Sequence, residues 1–404
     1  MPAPSADARD LWLLSTAQAL FMSISILTVA VASVAAGALA ADPRLATLPQ
    51  ATIPLVAMAT VLPAASLMRR IGRRAGFLLG AGAGLASGAL SALALWLGSY
   101  AAFVASVALL GVYQGFATYY RFAVADRAPE HLRARSVSFV LAGGVVAAVL
   151  GPSLGSAARD LVPGTPFLGS YLATVGLNLA AVAVLAGLRP DAAPAPAPTS
   201  AGVRPSPRAL LARPRYALAA ACCSIGQGTM VLVMTATPLA MLGHGHSLGF
   251  AGLVISAHVL AMFVPSFFSG PLIGRLGVRP VLIAGLASMA VSAIVAMLGT
   301  TGAHFALALV VNGLAWNFLF VGGSTLLAGI ADLDERALVQ GANEFLTFAL
   351  TALAALASGA VYASLGWGAL NVASLGAIAL LGALMAGLGG RVFGAGAARP
   401  AARS

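Results

Sequence analysis

Two ionisable side chains stand alone inside long apolar stretches of this 404-residue chain. Glu344 lies in the run 338–364, where a carboxylate at mid-helix costs roughly 2.5–3.5 kcal/mol and requires a partner. His258 lies near the middle of the run 249–273, where a neutral imidazole can bond a solute, take up a proton, or simply bond a backbone carbonyl or water. One Glu and one His on different runs do not assemble a nucleophile, a base and metal ligands, so the sequence argues against an enzyme.

A second set of polar and aromatic side chains occurs inside the same apolar runs. Each can contact a solute, or can hydrogen-bond a neighbouring helix for about 0.6 kcal/mol. The candidates for a substrate cavity are Gln18, Tyr113, Gln114, Gln227, His258, Asn312, Trp316 and Asn317. Rings such as Tyr113 and Trp316 are suited to stack on a flat ligand. The scarcity of charge favours a neutral or amphipathic solute over a phosphate or dicarboxylate.

The composition indicates which elements carry these residues. Hydrophobic residues make up 60% of the chain and charged residues 8%, with a mean hydropathy of +0.96, which predicts an all-α membrane protein. Runs of 18 residues or more can each cross the bilayer as a helix. We predict twelve spans, at 11–39, 50–68, 75–97, 99–121, 136–157, 167–188, 215–242, 249–273, 279–299, 303–329, 338–364 and 367–389.

The basic residues give the orientation of these spans. All 22 are arginine, and with both termini in the cytoplasm only Arg44 and Arg159 fall on the outer side. The stretch SLMRRIGRRAG is then a tight cytoplasmic turn with four arginines. The cations do not cluster with stacking aromatics, which excludes nucleic acid as a partner. Neither a metal nor a cofactor is expected, because the only two cysteines are adjacent and the glycine-rich runs lack a phosphate-loop Lys.

The chain divides into two similar halves. A Pro/Ala-rich linker, 189–214, separates an N-terminal half, 1–188, from a C-terminal half, 215–389, and a cytoplasmic tail, 390–404, follows. The turn after span two is repeated after span eight, with Gly72 matching Gly277 and Arg70 matching Arg275. Repeats of this kind place a binding site between the halves near the bilayer midplane.

These motifs resemble those of the major facilitator superfamily. Its pattern GxLxDRxGRR is occupied by Ala65, Leu67, Arg69, Arg70, Gly72, Arg73 and Arg74, so that Arg69 replaces the family's Asp. The pattern GxxxGxxxGPxxGG in span five is occupied by Gly143, Ala147, Gly151, Pro152, Gly155 and Ser156. The span-four motif RxxQG is present as GVYQG, without the arginine usually linked to proton coupling. The runs YYRFAVADRAP and WNFLFVGGSTLL resemble a bacterial branch that includes riboflavin importers.

The resemblance implies a monomeric secondary transporter of the bacterial inner membrane that moves a small organic solute by alternating access, with protons as a candidate coupling ion. The alternatives are a facilitative importer of a flat aromatic metabolite or vitamin such as riboflavin, and a non-transporting scaffold. Glu344 has three open roles: a gate latch with Arg69, a local pair with Arg336 or another loop arginine, and a proton-coupling carboxylate. The coupling or gating candidates are Glu344, Arg69, Arg70, Arg73, Arg275 and His258.

Overall fold

Helices follow the predicted spans closely. The computed structural model describes residues 6–120, 123–124, 143–190, 207–330 and 336–394, and within these ranges there is no strand. The span helices are α1 (Ala6–Leu39), α2 (Leu48–Ile71), α3 (Arg73–Trp96), α4 (Tyr100–Ala117), α5 (Gly143–Ala157), α6 (Leu168–Ala186), α7 (Pro214–Gly243), α8 (Leu248–Leu276), α9 (Val278–Leu298), α10 (Gly302–Ala328), α11 (336–365) and α12 (367–393). The predicted all-α membrane fold is confirmed.

The outer surface of this bundle is suited to lipid. Ten helices in the described ranges are long and apolar enough to cross a membrane, and the tenth, Val339–Phe393, contains most of α11 and all of α12. Large apolar side chains face outward, such as Leu298 and Leu253, whose exposed fractions are 73% and 63%. Water would oppose such exposure, whereas hydrocarbon does not, so the bundle lies in a bilayer.

The two repeated turns have the same backbone conformation. Gly72 has φ 85° and ψ 157°, and Gly277 has φ 84° and ψ 168°. Each glycine donates its N–H to the carbonyl four residues back, at 2.9 Å for Gly72 and 2.8 Å for Gly277, and the next helix starts directly after it. A positive φ with an extended ψ is open only to glycine without strain. The turns therefore need glycine at both positions, 205 residues apart.

The halves are built alike and meet along paired helices. In the first half α1 packs on α5 and α6, while α4 packs on α2 and α3. In the second half α7 packs on α11, while α10 packs on α8 and α9. Between the halves, α2 contacts α11, α5 contacts α8 and α1 contacts α7. The space bounded by these contacts is where a solute site is expected.

Small residues on α5 let it approach α1 closely. A Cβ added at Gly143 would lie 3.0 Å from the backbone of Ala19, and one added at Gly151 would lie 2.9 Å from the carbonyl oxygen of Ser23. Gly155 continues this row, with an added Cβ 3.1 Å from a side-chain methyl on α1. Such spacing is typical of helix pairs in lipid, where close backbone packing replaces the hydrophobic effect.

Another face of α5 belongs to the contact between the halves. A Cβ at Gly144 would lie 2.8 Å from the ring of Phe263 on α8, and Pro152 lies beside Gly252 of the same helix. The predicted linker, 189–214, includes a short helix, Pro207–Leu211, while residues 191–206 lie outside the described ranges. The division of the chain at 188 and 215 stays a prediction.

Candidate functional site

A cavity of about 250 Å³ lies between the two halves. Its walls come from α1, α2 and α4 of the first half and from α7, α8 and α11 of the second. The wall is made mostly of apolar side chains, including the rings of Phe21 and Phe263 and the methionines Met22, Met230, Met234 and Met262. Methionine is flexible and polarisable and adapts to a flat ring, while phenylalanine gives a stacking face.

Polar contacts on this wall come from amides and hydroxyls. The amides are Gln50, Gln114 and Gln227, and the hydroxyls are Ser25, Thr235 and Thr351. Among the described residues, none that lines the cavity is charged. Two hydroxyls are already used within their own helices, since Ser25 donates to the Phe21 carbonyl at 3.0 Å and Thr351 to the Thr347 carbonyl at 2.6 Å. The three amides and the Thr235 hydroxyl are therefore the polar groups on this wall that a ligand could use.

Gln227 is held by an aromatic group on α10. The indole N–H of Trp316 donates to Gln227 Oε1. The Trp316 ring stacks on Phe320 with centroids 4.8 Å apart and meets Phe263 edge-on at 6.0 Å. Trp316 itself is 8% exposed and does not line the cavity. Trp316 would therefore act on a ligand indirectly, by orienting the Gln227 amide. Because Oε1 of that amide is bonded to the indole, Nε2 is the group left for a solute.

Gln50 is the lining amide that sequence reasoning missed. It lies in the first turn of α2, its Nε2 donates to the Val29 carbonyl of α1 at 2.6 Å, and the side chain is 5% exposed. When hydropathy alone sets the boundaries, span two begins at Gln50, so this residue is assigned to the membrane surface. The available signal was Pro49, because proline in the first turn of a helix indicates that the helix has already begun.

The structure brings two of the eight predicted cavity residues, Gln114 and Gln227, together on the cavity wall. Gln18 is half-buried on α1 and lies outside the lining. Tyr113 is buried and meets Phe21, a lining residue, edge-on at 4.8 Å. Tyr113 thus supports the wall from behind rather than forming it in this conformation.

His258 and Asn312 are buried where α8, α9 and α10 pack together. His258 Nδ1 lies 2.7 Å from the Leu309 carbonyl, while Nε2 has no partner among the described residues. Asn312 Nδ2 lies 3.4 Å from the sulfur of Met289 on α9. Neither side chain lines the cavity here, and their predicted roles in substrate binding or coupling stay predictions.

Asn317 stabilises a break in α8. That helix consists of Leu248–Phe263 and Ser266–Leu276, with Pro265 at the junction. Asn317 Nδ2 lies 2.7 Å from the Met262 carbonyl and 2.7 Å from Ser266 Oγ. Non-helical backbone within a membrane requires partners for its freed polar groups, and a buried amide from α10 supplies them. Asn317 therefore holds the wall of the cavity in place, from outside its lining.

The predicted gating residues lie around the arginine turns. Arg69 is exposed and donates to Ser66 Oγ at 3.4 Å, a contact within α2. Arg70 and Arg275 are also exposed, whereas Arg73 is half-buried. Within the described residues this conformation has no ion pair between Arg69 and Glu344, so the latch stays a prediction for another state of the cycle.

Glu344 lies beside a contact between α7 and α11. It is half-buried, one turn before Thr347, whose hydroxyl lies 3.2 Å from that of Ser224 on α7. The alternative partner, Arg336, has its side chain outside the described residues. No group of three His, Cys, Asp or Glu side chains in the described ranges is placed to hold a metal ion.

Comparisons with known proteins agree with this architecture. The family model of the Major Facilitator Superfamily matches residues 13–247 and 218–400. The riboflavin transporter RfnT of Brucella anthropi is 40% identical over 313 residues, which cover 77% of this chain and 78% of the relative. The uncharacterized MFS-type transporter YdeG of Bacillus subtilis is 32% identical over 327 residues, or 76% of each chain.

Solved transporters share the fold at low sequence identity. The nucleoside transporter NupG is 14% identical with a TM-score of 0.75, and the match covers 94% of this chain and 99% of that one. The human organic anion transporter MFSD10 is 16% identical with a TM-score of 0.69, covering 95% and 100%. Family model, relatives and fold agree, so this chain belongs to the Major Facilitator Superfamily and is a multi-pass membrane transporter rather than an enzyme.

Proposed function

We propose that this transporter carries riboflavin, or an uncharged planar heterocycle closely similar to it, across the bacterial inner membrane. The observation that carries the proposal is the uncharged cavity between the halves, which combines methionines and aromatic rings with three amides. The faces of a flat ring would pack on the apolar side chains, and its polar edge would bond the amides. The 40% identity to a riboflavin transporter also favours a flat, uncharged heterocycle as the solute.

The absence of charge on the lining speaks against anionic solutes. A phosphate or carboxylate in this cavity would lose its hydration, and no lining arginine or histidine of the described residues would replace it. Riboflavin and riboflavin 5′-phosphate have the same ring system, but the second carries an additional, negatively charged phosphate group. The proposal therefore predicts transport of the first and exclusion of the second.

Transport would proceed by rocking of the two halves about this cavity. The contacts between α2 and α11 and between α5 and α8 would separate at one end of the bundle and close at the other. An ion pair between Arg69 and Glu344, flanked by Arg70, Arg73 and Arg275, would latch the arginine end in the outward-open state. We place that end, and both termini, in the cytoplasm because of the arginine distribution.

Coupling is part of the same proposal. Glu344 or His258 would carry a proton if uptake is driven by the proton gradient, and facilitated diffusion is the alternative. We take the transporting unit to be a monomer, since the cavity is completed within one chain.

The test is counterflow of labelled riboflavin in liposomes that contain the purified protein, with and without a proton gradient. We expect exchange of labelled riboflavin. Added unlabelled riboflavin should reduce this exchange by competition, whereas riboflavin 5′-phosphate should not. If the protein exchanges other neutral solutes but not riboflavin, the assignment of riboflavin as the substrate is refuted. A protein that exchanges no solute in a broad screen would support the scaffold alternative.

A further inference from the structure

Gln50 combines two properties that no other described residue combines. It lines the cavity between the halves, and it holds a buried side-chain atom without a hydrogen-bond partner. Its Nε2 donates to the Val29 carbonyl at 2.6 Å, which fixes the nitrogen and oxygen positions of the amide. The remaining atom, Oε1, is closed to water and receives no donor from the described residues. A ligand that lines up a donor with this acceptor as the wall opens around Gln50 would satisfy it.

The amide of Gln227 offers the complementary group. Its Oε1 already accepts from the Trp316 indole, so its Nε2 is left to donate. Gln114, half-buried on α4, adds an amide with both functions to the same wall. Once Gln50 Oε1 is uncovered, the cavity wall carries an acceptor on α2, a donor on α7 and a third amide on α4. This pattern matches a ligand edge that carries both a donor and acceptors.

We propose that the three amides read a cyclic imide or lactam edge, in which a ring N–H lies beside ring carbonyls. The ring N–H would donate to Gln50 Oε1, and the carbonyls would accept from Gln227 and Gln114. This assignment rests on the proposed function, because the riboflavin ring carries such an edge at N3, between the carbonyls at C2 and C4. It makes Gln50 a specificity-determining residue that selects heterocycles with an unsubstituted imide nitrogen.

The experiment compares riboflavin with 3-methylriboflavin, in which the N3 proton is replaced by a methyl group. Binding is measured by quenching of flavin fluorescence with purified protein in lipid nanodiscs. We expect 3-methylriboflavin to bind the unaltered protein roughly 5- to 150-fold more weakly, as for loss of a hydrogen bond to a buried acceptor. This arm needs no variant, so it does not depend on whether a variant folds.

A variant separates hydrogen bonding from steric exclusion of the methyl group. Gln50→Met keeps the side-chain length but removes the acceptor. We expect the preference for riboflavin over 3-methylriboflavin to shrink to less than about threefold in this variant, as in a double-mutant cycle. Gln340→Met makes the same change at a half-buried position outside the cavity lining and should keep the full preference.

Three outcomes would overturn the inference. The first is equal binding of both flavins by the unaltered protein, and the second is an undiminished preference in Gln50→Met. Either result leaves riboflavin transport itself intact. If riboflavin is neither bound nor transported, the proposed function fails, and the imide edge is tested with uridine against 3-methyluridine by thermal shift. Stabilisation by uridine alone would support the inference, and stabilisation by neither or by both would overturn it.

Discussion

Replacing Asn317 with leucine should destabilise the protein through the break in α8. Asn317 has no exposed surface, and its Nδ2 lies 2.7 Å from both the Met262 carbonyl and Ser266 Oγ. Leucine has a similar shape but no donor. The Met262 carbonyl, freed from the helix ladder near Pro265, would then be buried without a partner.

The magnitude follows from the individual contacts. An unsatisfied buried carbonyl costs about 1–3 kcal/mol, and loss of the bond to the exposed Ser266 adds about 0.5–1.5 kcal/mol. Ser269 loses little, because its hydroxyl lies 2.8 Å from the Pro265 carbonyl as well as 2.6 Å from Asn317 Oδ1. We therefore expect Asn317→Leu to lower the free energy of unfolding by roughly 1.5–4.5 kcal/mol.

Asn371→Leu is a matched control, because Asn371 is equally buried but bonds only a carbonyl of its own helix, that of Trp367, at 2.9 Å. Its Oδ1 has no partner among the described residues, so leucine there should be nearly neutral. Unfolding can be followed with a thiol-reactive fluorescent dye, because the only two cysteines, Cys222 and Cys223, are buried. The reasoning is refuted if the two variants lose equal stability, or if Asn317→Leu loses none.

Three further predictions concern the cavity wall, the helix seams and the gate. Trp316→Phe keeps an aromatic ring at this position but removes the indole N–H that bonds Gln227, so the KM for riboflavin counterflow should rise about 5- to 10-fold. Trp96→Phe, at an exposed position, should leave this KM unchanged. Gly111→Ala should cost about 1–3 kcal/mol in a melting experiment, because its Cβ would lie 2.8 Å from Val56 Cβ and against the Ile53 carbonyl, whereas Gly82→Ala, with open space around it, should cost nothing. Arg69→Glu and Glu344→Arg should each reduce counterflow and the double variant should restore it; an inactive but folded double variant would count against the latch.

The spans were predictable because lipid imposes a simple rule on sequence. A helix must present about 20 apolar residues, so charges and prolines indicate its ends within a few positions. The predicted run 279–299 and the observed helix Val278–Leu298 show how closely composition fixes a boundary. The repeated turns were predictable for a different reason, since Gly72 and Gly277 occupy a backbone conformation that excludes other residues.

The site was less predictable because hydropathy does not report direction around a helix. Asn317 and His258 are as polar as Gln114 and equally central in their spans, yet both point into packing between helices. The sequence showed that each needed a partner but not whether the partner was a carbonyl or a solute. Gln50 was missed for a different reason. It lies in the first turn of α2, where the sequence does not distinguish a residue at the membrane surface from one already inside the helix bundle.

The unpaired acceptor of Gln50 also bears on the transport cycle. A carrier must return empty after releasing its solute, and during that return the cavity closes around whatever polar groups the solute had occupied. A charged group there would be too costly to close without a partner, whereas an amide acceptor costs only about 1–3 kcal/mol. If the solute satisfies this acceptor, the cost falls on the closed empty state, and we expect that state to return roughly 5- to 150-fold more slowly than the loaded state. Exchange of solute would then be faster than net flux, without the empty return being abolished.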